Sequence, residues 1–550
     1  MSRLIYDAAS SAYFAFDVRD ESTPLLTELR WSPHMGAARC WYTRSPYLAA
    51  PFWSWVGADD ATTRAALGPF SWNYATSFAR EPIKGCGVDQ IRLPAGSKPY
   101  PFQLAGIQRA MLRQRTLIAD EPGCGKSLQA LGVANLLRPS RIVIGCPTFL
   151  VDNWSAECEK WLVDAQSITI AGRGKRGMPA KGVIILPYSR GHVYAEQVLK
   201  TGPVDYLIAD EPEALKSPSA RRTLPWLGEA GLFAAAKRAV VIGGSPIPNN
   251  PLEIHGLLQA LSPETMGAVS REKFKEAYCS SFKGVAKVQG KRGGEIAVEF
   301  EKISGRNEAA LNAELRASGV MVRRMKDDVL EQLPKKMTFL VHLTPTAEIE
   351  TLVREETTLY EMLETKLMTP QEQISLQGHI ANVRARLGLL KAPKIAEYVK
   401  FLFDTGEKRV VLFMLHLAAI EAVRKVFENS RVRVHVLTGA ETARQRNESV
   451  VEFQKNTGYE LIVGQMTAAG VGLTMTAARD CVLGEISWNP QTNNQAIDRV
   501  HRISQTRTVH AAILTFPHAV EERVLRSTAQ KQLSTNRIMD DNLQNTVLTG

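Results

Sequence analysis

Short runs of apolar, β-branched residues alternate with amphipathic segments from about Gln114 onward, a rhythm that predicts strands and helices wound about a parallel sheet. The runs predict strands over Arg115 to Ala119, Arg141 to Cys146, Val183 to Pro187, Val204 to Ala209 and Ala239 to Gly243. The same rhythm returns with Arg409 to Leu415, Val432 to Leu437, Glu460 to Gly464, Cys481 to Glu485 and Val509 to Leu514, so two α/β lobes are expected. The stretch between them lacks it. There a hairpin is expected from Val285 to Phe300 around Gly290-Lys291-Arg292-Gly293-Gly294. An acidic helical region follows from Ala347 to about Gly388, interrupted at Pro370, and reads as an insertion joining the lobes. The N-terminal segment also lacks the rhythm and carries Trp31, Trp41, Trp53, Trp55 and Trp72, which suggests a small separate β-rich module.

Composition narrows the class without naming it. A chain of 550 residues is too long for one core and predicts about three or four domains. An apolar share of 45% and a charged share of 22% exclude a disordered or collagenous protein. No apolar run approaches the roughly 18 to 20 residues that span a bilayer, and no secretory leader pattern opens the chain. An intracellular protein is expected, cytoplasmic or nucleoid-associated in a prokaryote or virus and nuclear in a eukaryote. The cysteines are 7 in number, scattered, with no C-x-x-C pair, which predicts reduced thiols rather than a zinc knuckle. A formal charge of +11 suits a polyanionic partner, although many soluble proteins carry as much.

The chemistry concentrates at three places. The strand ending at Ala119 runs into Asp120-Glu121-Pro122-Gly123-Cys124-Gly125-Lys126-Ser127, and a helical pattern begins at Leu128. Such a glycine-bearing turn aims backbone N–H groups at phosphates, with Lys126 in reach of them and the Ser127 hydroxyl available to magnesium. The strict phosphate-loop pattern has glycine where this chain has Asp120. Second, the apolar strand Val204 to Ala209 ends in Asp210-Glu211-Pro212-Glu213, at the sheet edge where α/β proteins bind ligands. Asp210 can complete a magnesium shell and Glu211 can activate water. Third, Gln495, Arg499 and Arg502 fall at i, i+4 and i+7, one stripe of a helix, with Ile497 and Val500 on its other side. Two guanidiniums and an amide there would clamp a terminal phosphate; the bland reading is a solvated basic face.

Together these motifs resemble the superfamily 2 helicase-like ATPases, and within them the Swi/Snf-like DNA-dependent ATPases. Phe102 to Gly106 resembles the adenine-reading motif, which implies Gln103 as the base contact. Asp120 to Ser127 resembles motif I of that family, in which aspartate opens the loop, and adds Gly123 and Gly125 to the nucleotide contacts. Asp210 to Glu213 is similar to motif II, with Pro212 and Glu213 replacing a small residue and histidine. Val241 to Asn250 resembles motif III, with Gly243 and Ser245 where threonines are common. Ala469 to Leu473, including Gly472, and Trp488 to Gln491 resemble motif V and its extension, with Thr474 where asparagine is typical. Gln495 to Gln505 resembles motif VI, which implies Arg499 and Arg502 as arginine fingers. The most discriminating match is Val322 to Leu330 followed by Leu333-Pro334-Lys335-Lys336, which generic helicases lack. Phe274-Lys275 and Tyr278-Cys279 look most like the annealing-helicase branch, whose HARP modules the segment Tyr13 to Leu48 weakly resembles; its aromatics either stack on unpaired bases or fill a small core.

The expected fold is therefore α/β, two RecA-like parallel-sheet lobes with a helical insertion and a small N-terminal β-rich accessory module. The expected divisions are 1–98 for the module, 99–262 for the ATP-binding lobe, 263–393 for the insertion and 394–550 for the second lobe. The resemblance implies a DNA-stimulated ATPase that uses ATP and Mg2+ and translocates on double-stranded or branched DNA, held mainly through phosphates, without processive strand separation. It would remodel DNA or protein–DNA complexes and anneal strands. The alternatives are a strand-separating helicase acting on DNA or RNA, and a DNA-binding scaffold with weak ATPase activity.

Overall fold

The computed structural model describes residues 3–7, 12–16, 30–32, 40–43, 77, 79–82, 90–164, 166–173, 177–244, 246–247, 250–289, 295–330, 333–365, 370–469, 473–517 and 519–525. At the N-terminus β1 (Arg3–Asp7), β2 (Ala12–Phe16), β3 (Arg30–Ser32) and β4 (Cys40–Thr43) form an antiparallel sheet in the order β1-β2-β4-β3.

Seven strands build the first large sheet: β5 (Arg115–Ile118), β6 (Arg141–Cys146), β7 (Ile168–Ile170), β8 (Gly182–Pro187), β9 (Val204–Asp210), β10 (Ala236–Ile242) and, after a two-stranded ribbon of β11 (Cys279–Gln289) and β12 (Glu295–Gly305), β13 (Met321–Val322). Their order is β13-β5-β10-β9-β6-β8-β7, parallel throughout. β14 (Lys336–His342), β15 (Arg409–Met414), β16 (Arg433–Leu437), β17 (Glu460–Gln465), β18 (Asp480–Leu483) and β19 (Val509–Thr515) form the second, in the order β14-β19-β18-β15-β17-β16, again parallel. Both-face burial explains the unbroken apolar runs. Along β15, Val410, Leu412 and Met414 enter one core while Val411 and Phe413 enter the core on the opposite face.

By contacts the chain divides into two compact units. The first takes the residues up to Ser280 and Ser304–Val329, and the second takes Ser281–Ile303 and most of the chain from Leu330 onward. The expected two parallel-sheet lobes are present. Three strands were not foreseen, β7, β13 and β14, of which β13 and β14 lie in the stretch read as insertion. The helical region also runs further. The helix Ala347–Thr365 is followed by a second, Pro370–Asp404, which passes through Gly388 and holds Pro393 in its interior. Gly388 stands inside this helix, where a Cβ would collide with Glu485 Oε1, so the glycine serves packing rather than termination. The ribbon's strands extend beyond the expected hairpin, while its tip, residues 290–294, lies outside the described residues. Among the described residues no helix is long and apolar enough to cross a membrane.

Candidate functional site

In the first unit, β5 delivers the chain to a loop that ends at the helix Lys126–Leu137. Gly123 and Gly125 turn it with φ of 93° and 75°, values that glycine adopts without strain. Gly125 also has no room for a side chain, since a Cβ would stand 2.5 Å from Gln103 Nε2. Lys126 Nζ donates to the carbonyls of Asp120 at 2.7 Å and Glu121 at 3.3 Å, so the ammonium lies within the curve of the loop. Ser127 follows it in the first turn of the helix. Gln103 is buried and its amide is engaged at both ends, accepting from Tyr100 N at 3.0 Å and donating to Cys124 O at 3.1 Å. It thus braces the loop, a role the sequence did not suggest beside base contact.

The acidic pair arrives on β9, two strands away from β5 in the sheet. Asp210 accepts from the Trp154 indole Nε1 at 2.9 Å through Oδ2, and its carbonyl accepts from the Tyr188 hydroxyl at 2.8 Å. Burial, reinforced by the Glu211 charge, raises the Asp210 carboxyl to about 7. Glu211 sits at φ 51°, ψ 68°, a left-handed conformation that costs a non-glycine residue energy and clusters at functional sites. Burial raises its pKa, and its Oε2 is a buried oxygen with no hydrogen-bond partner. Glu213, where the family has histidine, adds a third carboxyl whose pKa is raised well above the ordinary value by burial and then by Glu211.

Residues of motifs I, II and III fit against one another. A Cβ on Gly243 would come within 2.8 Å of Pro212 Cδ, and one on Gly244 within 2.7 Å of Pro122 Cγ. Each proline faces a glycine, so the side chain usual in motif III has no space here.

In the second unit, Gln495 lies on the helix Pro490–Ile497, but that helix stops short of both arginines. The expected single helical stripe is corrected: the amides of Arg499 and Val500 bond back three residues, to Ala496 O at 3.1 Å and Ile497 O at 3.0 Å, and the chain tightens into turns. Arg499 stays beside Gln495, while Arg502 turns to Asp498 and Thr474. Arg499 Nε donates to Gln495 O at 3.1 Å, and Arg502 donates to Asp498 O at 3.2 Å and Thr474 Oγ1 at 2.8 Å. Arg499 is 7% exposed above the buried Ile497 and Val500, which removes the solvated-face reading for that residue. Gly472 and Ser245 lie outside the described residues.

A family model for the SNF2-related domain matches residues 102–387, and one for the helicase conserved C-terminal domain matches residues 393–504. The chain belongs to the SNF2-related family. These two domains are those of an ATP hydrolase. Relatives of this SNF2-related chain include the DNA annealing helicase and endonuclease ZRANB3 of Mus musculus, 28% identical over 75% of this chain and 38% of the relative. Another is the SWI/SNF-related matrix-associated actin-dependent regulator of chromatin subfamily A-like protein 1 of Xenopus tropicalis, 25% identical over 79% of this chain and 44% of the relative. The chain thus spans less than half the length of these two relatives. The solved Sulfolobus solfataricus SWI2/SNF2 ATPase core in complex with dsDNA is 20% identical, covers 81% of this chain and 97% of that one, and has a TM-score of 0.34.

Proposed function

We propose that the protein is a DNA-stimulated ATPase that moves along double-stranded DNA and remodels DNA or protein–DNA complexes without processive strand separation. The observation that carries this reading is the meeting of Lys126, Ser127, Asp210 and Glu211 at the carboxyl edge of one parallel sheet in an SNF2-related chain. The names of its relatives, with DNA annealing among them, and the +11 charge support DNA as the polyanion.

The residues fit a nucleotide and its cation. The two left-handed glycines let the loop turn tightly ahead of the helix, and the orphaned Glu211 Oε2 is an acceptor awaiting a proton donor. Magnesium, when bound, neutralises phosphate charge. In this reading Lys126 and the loop amides bind phosphate, and Ser127 with Asp210 holds the cation. Glu211 Oε2 takes the proton of the attacking water. Gln103 fixes the loop and reads the base beside it. Arg499 and Arg502 supply positive charge in the transition state, and Gln495 supplies a neutral amide beside them. Gly472 contributes from motif V.

Phosphate release measured with and without duplex, forked and single-stranded DNA and with RNA tests the reading. Stimulation by duplex or forked DNA supports it, and release that no DNA changes overturns it. Movement on intact duplex is tested by displacement of a third strand from a triplex against unwinding of a tailed duplex. Efficient unwinding without triplex displacement would place the protein among strand-separating helicases.

A further inference from the structure

We propose that Arg324 is a positioning residue for the nucleotide, fixing both ends of the phosphate loop through Asp120 and Gln129. The proposal rests on the ATP-site reading above. All five guanidinium N–H groups have acceptors. Nε donates to Asp120 Oδ1 at 2.9 Å, Nη2 to Asp120 Oδ2 at 2.6 Å and to Gln129 Oε1 at 2.9 Å, and Nη1 to Ala79 O at 3.3 Å and to Phe102 O. Gln129 Nε2 closes the triangle by donating to Asp120 Oδ2 at 2.9 Å. Asp120 is the residue whose carbonyl receives Lys126, and Gln129 stands one turn into the helix that Lys126 begins. One guanidinium therefore holds the entry and the exit of the loop.

The surrounding chain reinforces the same contact. β13 lies beside β5 and continues past it, so that Ala119 N donates to Val322 O at 2.8 Å and Glu121 N to Arg324 O at 3.1 Å. Arg324 N and Lys326 N return bonds to Asp120 Oδ1 at 3.1 Å and Glu121 Oε2 at 2.8 Å. Arg323 reaches Ala119 O at 2.6 Å and Gly244 O at 2.9 Å, joining the loop's base to motif III. Asp120 and Arg324 are 0% and 2% exposed. The Asp120 carboxylate is thus fully desolvated, and its place in the loop makes it an anchor rather than a phosphate contact. Glycine at position 120 could not be anchored in this way.

Lysine keeps the charge of Arg324 but offers three donors from one point, which cannot span Asp120, Gln129 and Phe102 together. Arg324→Lys should therefore weaken ATP binding in equilibrium titration and raise KM, with kcat/KM lower by about 10²-fold, the order expected when reacting groups shift by about 1 Å. Asp120→Asn should act in the same direction, because its amide would face the N–H groups of Arg324 and Gln129, and it serves where Arg324→Lys does not fold. A purely structural pair would instead lower the melting temperature and leave ATP affinity and KM of the folded protein unchanged. That result, or a loss confined to kcat, overturns the proposal. Absence of ATP hydrolysis by the unsubstituted protein would defeat the ATP-site reading itself.

Discussion

The Trp154 indole and the Asp210 carboxylate are joined by a 2.9 Å hydrogen bond from Nε1 to Oδ2. Trp154 is 0% exposed on the helix Val151–Trp161, so a rigid side chain sets the rotamer of the residue proposed to hold the cation. The Glu211 backbone gives the same carboxyl a second hydrogen bond, so it is held from two sides.

Trp154→Phe keeps most of the packing and removes the donor. It should raise the magnesium concentration needed for half-maximal phosphate release by about 10- to 100-fold, the range seen when partners of metal ligands are lost. An unchanged magnesium requirement in a folded variant would show that the indole only fills space.

Lys126→Ala and Glu211→Gln should both abolish hydrolysis, by different routes. The first removes a phosphate contact and should weaken ATP binding in equilibrium titration. The second preserves shape and should leave ATP bound and intact. Normal turnover in either variant would contradict the roles given to these side chains.

Arg499→Ala and Arg502→Ala should lose hydrolysis and keep most nucleotide affinity. Charge offered mainly to the transition state is worth about 10³ to 10⁵ in rate in comparable enzymes. A small rate effect joined to a large loss of ATP binding would contradict that assignment.

Gly243→Thr restores the residue usual in motif III and should impair folding or turnover, because its Cβ meets Pro212 Cδ at 2.8 Å. Pro212→Ala in the same chain should recover much of the loss. Additive effects of the two changes in thermal melts and phosphate release would deny the contact.

Glu356 should make the stability of the second unit depend on pH. It is 2% exposed, and Arg384 Nε stands 3.5 Å from it, with Lys391 and Glu521 in the same buried pocket. Burial raises its carboxyl from 4.5 to about 7. Between those values the folded state holds a proton that the unfolded chain has released. Stability should therefore fall as pH rises through that window, by up to about 1.4 kcal/mol per pH unit, and level off above it. Melting of Glu356→Gln at pH 5 and pH 8 is the measurement: the substitution should stabilise at pH 8 relative to the unsubstituted protein more than at pH 5. An equal effect at both values would rule out this group as the cause.

The central strands were legible because burial on both faces leaves an unbroken apolar signature, as in Val410 to Met414. β14 escaped because it is an edge strand that exposes Met337, Phe339 and Leu340 and carries Lys336, Thr338 and His342. β7 and β13 have too few residues to show a period. Gly388 looked like a terminator, and only the closeness of Glu485 shows why a glycine stands inside the helix there. Spacing placed Gln495, Arg499 and Arg502 together but could not report that the backbone tightens after Ile497. The hydrogen bond of Trp154 to Asp210 spans 56 positions and the ion pair of Asp120 with Arg324 spans 204, distances at which a single sequence holds no periodic signal.

The ion pair under the phosphate loop also decides where the chain can be divided. A fragment ending at Leu261 would contain Lys126, Asp210 and Glu211, yet it would lack the edge strand Met321–Val322 and the guanidinium of Arg324 that pairs with Asp120. A buried carboxylate stripped of its counter-charge costs about 3 to 5 kcal/mol, a large share of what holds an ordinary domain together. Among the described residues the first unit therefore draws on two stretches of chain, and the one that completes it, Ser304–Val329, begins where the ribbon ends.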